Sequence, residues 1–271
     1  MTEKPTLGLK PLAGKTAMVT GSSSGIGRAI ATEFARQGAD VIVHCRYGSP
    51  KIQDVCQTIT ELGVDCQTVF GDFTDRPNWN GFVDQAWAWK GNIDFWINNA
   101  GGDVLTGDWP DRKFEDKLEF LWQVDVASTL MLSKRAGERM ADPTDGATSG
   151  VILNLGWDQA WQGMAGPSGE LFSTTKGAIM SMTKSLAQSL APHVRVNCLA
   201  PGWIKTQWGD EASDYWSDRA EKESLMDRWG TPQDVALVAA FLCSDAASFI
   251  SGQIVPVNGG FRYQSHTSPM V

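Results

Sequence analysis

Residues 19–30 read VTGSSSGIGRAI, a glycine-punctuated turn with an apolar run before it and an amphipathic run behind it. Glycines at 21, 25 and 27 allow a tight turn, a close approach of backbone to ligand and close packing of helix on strand. A helix starting there offers unpaired N–H groups and a partial positive charge, which suit a pyrophosphate. The spacing is G-x-x-x-G-x-G, not the usual G-x-G-x-x-G, so the strand–turn–helix context carries the reading. A glycine-rich turn with no ligand is the plainer alternative.

The same alternation continues on both sides of this stretch. TAMVT (16–20), DVIVHC (40–45), DCQTVF (65–70), IDFWIN (93–98), GVILNL (150–155), VRVNCL (194–199) and QIVPVN (253–258) read as strands. Several are apolar throughout, as in a parallel sheet covered on both faces. Helical patterns fill 25–37, 50–62, 78–90, 113–140, 171–190 and 232–243, and Gly38, Gly63 and Gly91 stand where helix ends favour glycine. Strands joined through helices imply right-handed crossovers, hence an α/β fold: a doubly wound, seven-stranded parallel sheet in a single domain. The core should span about residues 12–262, with a loose N-terminal arm to about Lys10 and a loose tail after Arg262.

Bulk properties narrow the function. The chain has 271 residues, 42% of them hydrophobic, and a formal charge of −8, with Lys and Arg scattered. Without a basic stripe, neither nucleic acid nor an anionic membrane is an expected partner. The N-terminus is polar and no apolar run approaches the ~18 residues of a membrane span, so a soluble, cytoplasmic protein is expected. Five dispersed cysteines (Cys45, Cys56, Cys66, Cys198 and Cys243) include no C-x-x-C pair and are expected to be reduced. Three histidines far apart in sequence make no metal site.

The tip of the second strand reads His44-Cys45-Arg46, without the carboxylate that NAD enzymes place against the ribose 2′-hydroxyl. Arg46 could instead hold a 2′-phosphate by a charge-assisted fork, which favours NADP(H) over NAD(H). An arginine there could equally be an ordinary solvated side chain.

These letters resemble the short-chain dehydrogenases/reductases, above all the β-ketoacyl carrier-protein reductases. The resemblance rests on TGSSSGIG (20–27), Asp72 after the third strand, NNAGG (98–102), RVNCLAPGWIKT (195–206) and GTPQDVALVAAFLCSDAASFISGQIVPVNGG (230–260). It implies roles at the matching positions. Gly21, Ser23, Gly25, Ile26 and Gly27 would line the pyrophosphate and ribose, and Asp72 and Phe73 would flank the adenine. Asn98, Ala100 and Gly101 would pass beneath the adenosine ribose. Pro201, Gly202, Ile204 and Thr206 would hold the nicotinamide carboxamide, and Lys176 the nicotinamide ribose. It also implies a homo-oligomer, tetramer or dimer, built on the long helices 113–140 and 171–190.

The chain departs from that family where its chemistry is done. The family relies on a Ser, a Tyr and a Lys, helped by an Asn on the preceding long helix. Lys176 is present, but the Tyr position is Phe172 in ELFSTTKGAI (170–179), and a phenyl ring neither gives nor takes a proton. Gly156 and Trp157 stand where the serine run ends, with Trp157 at the Ser position, and Asp125 replaces the Asn. Asp125 reads as a salt-bridge partner of Lys176 or a structural helix residue. Asp158 and Glu170 read as solvated loop residues, and Ser168 as still in the loop. Losing a positioned acid or base costs about 10²–10⁴ in rate, so hydride transfer could survive weakly with water as the proton source.

Trp109, Trp157, Trp161, Trp203, Trp208 and Trp216 fall on segments that follow strand C-termini, where open α/β sheets bind ligands. Flat aromatic walls fit an apolar or aromatic small-molecule substrate; core cover or an oligomer contact would also account for them. Residues 203–229 read as a lid. The expected function is an NAD(P)(H)-dependent oxidoreductase with an altered proton relay, acting on a carbonyl or conjugated compound. An NADP(H)-binding pseudoenzyme with a regulatory or ligand-sensing role is the alternative, and dehydration or isomerisation by the carboxylates a weaker third.

Overall fold

The computed structural model describes residues 10–142, 149–210 and 214–262; the expected terminal arm and tail lie almost wholly outside them. Its strands are β1 (Thr16–Val19), β2 (Asp40–Cys45), β3 (Cys66–Phe70), β4 (Phe95–Asn98), β5 (Gly150–Leu155), β6 (Val194–Pro201) and β7 (Ile254–Val257). They form one parallel sheet in the order β3-β2-β1-β4-β5-β6-β7. The strand order reverses between β1 and β4, and the crevice at their C-terminal ends is where such sheets bind ligands.

Apolar side chains on both sides of each strand recruit helices to both faces. α1 (Gly25–Arg36), α2 (Pro50–Glu61) and α10 (Pro232–Cys243) cover one face, around Val19, Phe34, Val43, Ile97 and Leu199. α3 (Trp79–Lys90), α5 (Ser128–Met140) and α7 (Pro167–Leu190) cover the other, around Met18, Phe82, Trp87, Trp96 and Ile152. Gly91 closes α3 in the left-handed region, φ 74°, with its N–H on the Trp87 carbonyl at 2.8 Å.

Three features differ from the sequence reading. The helix expected over 113–140 is α4 (Phe114–Leu121) running through a π-helical turn, Trp122–Ala127, into α5. α7 begins four residues earlier than expected, because Pro167 sits in its first turn, where a fixed φ and a missing N–H cost nothing; Ser168 and Glu170 are therefore helical. Short helices α6 (Gln159–Gln162), α8 (Gln207–Asp210) and α9 (Asp214–Glu223) were not legible as helices.

The cysteine expectation is also corrected. Cys56 and Cys66 form a disulfide, while Cys45, Cys198 and Cys243 are free and buried. α2 packs beside β3, bringing the two Cα atoms to 5.6 Å, within reach of a bridge. A ten-residue spacing across a helix and a turn gives no motif that would announce this. No helix among the described residues is long and apolar enough to cross a membrane, and none of their His, Cys, Asp or Glu side chains cluster as a metal site would require.

Candidate active site

The glycine turn is fastened from two sides. Gly21 N–H donates to His44 Nδ1 at 3.0 Å, and His44 Nε2 contacts the Gly71 carbonyl at 3.0 Å. Because an N–H must donate and a carbonyl must accept, these two bonds fix the neutral Nε2–H tautomer. Burial pushes the imidazole down to about 4. Asn99 closes the other side, donating to the carbonyls of Thr20 and Gly21 at 3.0 Å each. A Cβ at Gly21 would lie 2.7 Å from Ala100 Cα, and one at Gly27 would collide with the Gly21 carbonyl. Both glycines are thus set by close packing of β1, α1 and the Asn99–Ala100 turn.

No side chain caps the start of α1, so its first-turn N–H groups face outward. Over Gly25 a Cβ would meet only Thr206, at 3.5 Å. A bare helix end and an open glycine face fit the pyrophosphate of a dinucleotide. Near the tip of β2, exposed Arg46 lies over the Tyr47 ring at 5.0 Å, and Tyr47 O–H donates to Asp72 at 2.8 Å. Thr74 gives Asp72 two more hydrogen bonds; partial burial opposes ionisation, yet these bonds hold the carboxyl below its ordinary value. Phe73 is buried and stacked on His44 (4.8 Å), and Asn98 turns into the core, bonding Ser133 and Asn154. Both side chains thus turn inward, and it is Asn99, not Asn98, whose side chain reaches the glycine turn.

At the other end of the crevice Lys176 Nζ pairs with Asp125 Oδ2 at 2.8 Å. The π-helical turn aims Asp125 inward, leaving its side chain 1% exposed against 17% for Lys176, and Oδ1 accepts the Gly102 N–H at 2.6 Å. Of the readings open for Asp125, the geometry is that of the ion-pair partner. Trp157 and Phe172, the positions that the resemblance gives to the family's Ser and Tyr, meet edge to face with ring centroids 6.3 Å apart. Position 156 has no room for a hydroxyl either: a Cβ would lie 2.8 Å from Met180 and 2.9 Å from Cys198 Sγ.

A cavity of about 500 Å³ opens here, walled by Trp157, Phe172, Trp203, Trp216 and Trp229, with Lys176 in its lining. Ile26, Pro201, Gly202, Ile204 and Thr206 also line it. Three of the six expected tryptophans take part. Trp109 instead packs on Phe120 (4.2 Å), Trp161 is 56% exposed, and the side chain of Trp208 lies outside the described residues. Asn99, Ser168 and Trp229 line the pocket unforeseen; Ser168 stands one turn before Phe172, a position readable once Pro167 is taken as a helix start. In the segment read as a lid, α9 sets Trp216 5.7 Å from Trp203, and Trp203 Nε1–H donates to Glu223 at 2.8 Å.

Asp158 is not a solvated loop residue. It is 5% exposed behind Gly202, accepts from Asn258 Nδ2 at 3.0 Å, and burial pushes its carboxyl up to about 6. The turn after β5 folds back under β6, its N–H on the Pro201 carbonyl, and takes the side chain inside with it. Glu170, by contrast, is exposed.

Comparison with known proteins decides the family. Residues 21–262 match the family model described as enoyl-(acyl carrier protein) reductase. The chain belongs to the short-chain dehydrogenase/reductase family. It is 32% identical to the 3-oxoacyl-(acyl-carrier-protein) reductase of Aquifex aeolicus, over 92% of this chain and 98% of that one. A 7α-hydroxysteroid dehydrogenase solved with NADH and 7-oxo glycochenodeoxycholic acid superposes with a TM-score of 0.83 at 30% identity, covering 93% of this chain and 96% of the other. A candidate NAD(P)-dependent gluconate 5-dehydrogenase from Beutenbergia cavernae, with bound NADP, gives 0.81 at 30% identity, with coverages of 93% and 98%. Within this dehydrogenase/reductase fold the resemblance to carrier-protein reductases therefore holds along the chain.

Proposed function

We propose that the protein is an NADP(H)-dependent oxidoreductase that reduces a carbonyl or conjugated group on an apolar, ring-bearing small molecule through an altered proton relay. The observation that carries this is the aromatic cavity beside an uncapped, glycine-lined helix end, with Lys176 between the two. A nicotinamide coenzyme bound there supplies hydride. Gly21, Ser23, Gly25, Ile26 and Gly27 would seat its pyrophosphate, with Pro201, Gly202, Ile204 and Thr206 along the nicotinamide. Arg46, exposed and able to present a planar fork, supports the phosphorylated ribose. Since one related structure holds NADH and another NADP, that preference rests on Arg46.

The residues around the substrate orient and dry it. Trp157, Trp203 and Trp216 offer flat faces, and α9 can exclude water from above. The 7-oxo steroid in the related dehydrogenase is a ligand of the same apolar character. Self-association also belongs to this reading. Leu237 and Phe241, one turn apart on α10, are 50% and 47% exposed, and Trp122 and Leu130 are exposed on the α4–α5 helix.

Calorimetry with NADPH and NADH, followed by absorbance at 340 nm with a panel of cyclic ketones, quinones and enones, tests the proposal. NADPH should bind more tightly than NADH and be consumed with at least one apolar ring substrate. Neither coenzyme binding, or no consumption across the panel, would refute it.

A further inference from the structure

Among the described residues that line the aromatic cavity, Lys176 alone carries a titratable group. The other polar side chains there, Asn99, Ser168, Thr206 and the four indoles, do not release protons near neutral pH. Nothing stands between Lys176 and the cavity in the role of a phenol, because the side chain one turn earlier is Phe172.

The charge state of the lysine decides what it can do. A lysine side chain is ordinarily an ammonium near neutral pH, which donates rather than attacks carbon, and here its counter-ion is a carboxylate 2.8 Å away and 1% exposed. That argues against a covalent carbonyl adduct and for hydrogen bonding to oxygen. Asp125 cannot swing out of the way, since its second oxygen is tied to the Gly102 N–H. An ammonium has three N–H donors that turn about the Cε–Nζ bond. Asp125 holds it as an ion pair at 2.8 Å, and the resemblance to the family gives one donor to the nicotinamide ribose, which leaves a donor for the cavity.

Resting on the reductase reading of this site, we propose that Lys176 replaces the missing phenol, its ammonium binding the substrate's carbonyl oxygen and protonating it. As hydride adds to the carbonyl carbon, the π electron pair moves to oxygen, an N–H bond of Lys176 breaks and an O–H bond forms. The lysine is left as an amine beside Asp125 and regains its proton from solvent. Asp125 is the positioning residue: its carboxylate, 2.8 Å away, sets where the ammonium sits.

The test separates oxyanion binding from turnover. 4-Nitrophenol is the probe, because its ring fits aromatic walls and its phenolate, which absorbs visibly, mimics the developing oxyanion. Titrated against pH with coenzyme-free wild type, the bound probe should ionise at least tenfold more readily than in buffer. Lys176→Met should abolish that shift. Lys176→Arg should keep it, because the guanidinium holds charge, yet lower kcat at saturating NADPH by at least 10²-fold, because it does not release a proton. Since Lys176→Met leaves a buried carboxylate unpaired, the double variant Asp125→Asn/Lys176→Met is measured beside it and should show the same loss.

An unshifted probe in wild type overturns the proposal, and so does full turnover by Lys176→Arg or by the double variant. In those last two cases NADPH consumption continues, so the reductase reading stands without the lysine. A shifted probe with no nucleotide-dependent turnover on any substrate sinks the reductase reading, and the proton transfer with it.

Discussion

Asp158 and His44 are two buried titratable side chains whose ionisation lowers stability at opposite ends of the pH range. His44 is held near 4 by burial, below its ordinary value of 6.5. Its neutral form, which fastens Gly21 to Gly71, contributes stability present above pH ~6.5 and lost as pH falls through about 4. Asp158 is raised by burial to about 6, so its contribution is full below the ordinary carboxylate range and lost as pH rises through 6. Asp158→Asn keeps an acceptor for Asn258 without the charge. It should therefore raise stability by about 2–3 kcal/mol at pH 8 and by almost nothing at pH 4. Thermal melts of both proteins at the two pH values check this; an equal effect at both would mean Asp158 is not the buried acid described. The residues that hold this site were unevenly visible in sequence. Lys176, Asp125, Trp157 and Phe172 could be found because each occupies a place in an ordered run of motifs. Asp158 was misread because burial depends on the turn that folds it under β6, and nothing local records that.

At the scale of elements, the β1–α1 unit is held by close backbone packing. The Gly27 position lies against the Gly21 carbonyl and the Asn99 amide, with no free volume for a methyl group. Gly27→Ala should push α1 away from the turn, costing about 1–3 kcal/mol and several degrees of melting temperature. NADPH affinity should fall at least tenfold in calorimetry, because the helix end would no longer point at the phosphate. Unchanged affinity would place the nucleotide elsewhere. The π-helical turn Trp122–Ala127 illustrates the opposite limit of legibility. Its residues read as plain helix, and only the extra residue in that turn swings Asp125 to within 2.8 Å of Lys176 on α7. α9 was likewise missed: its sequence is polar and short, and it is shaped by packing Trp216 against Trp203.

For the whole molecule, the formal charge of −8 and the apolar stripe on α10 bear on association. Light scattering at micromolar concentration should give two or four times the chain mass. Leu237→Glu/Phe241→Glu, which places like charges in the stripe, should lower it. A monomeric wild type would overturn self-association while leaving the fold intact. The sequence by itself determined the doubly wound sheet, its seven strands to within a residue or two at most ends, and the glycine turn. These follow from short-range causes: alternation of strand and helix patterns, and backbone freedom at a few glycines. Only the tertiary structure decided that Cys56 meets Cys66, that Asp158 is buried, and that four tryptophans and Phe172 close one cavity around Lys176. Such contacts join residues from separate strand ends, and their distances are set by how helices settle on the sheet.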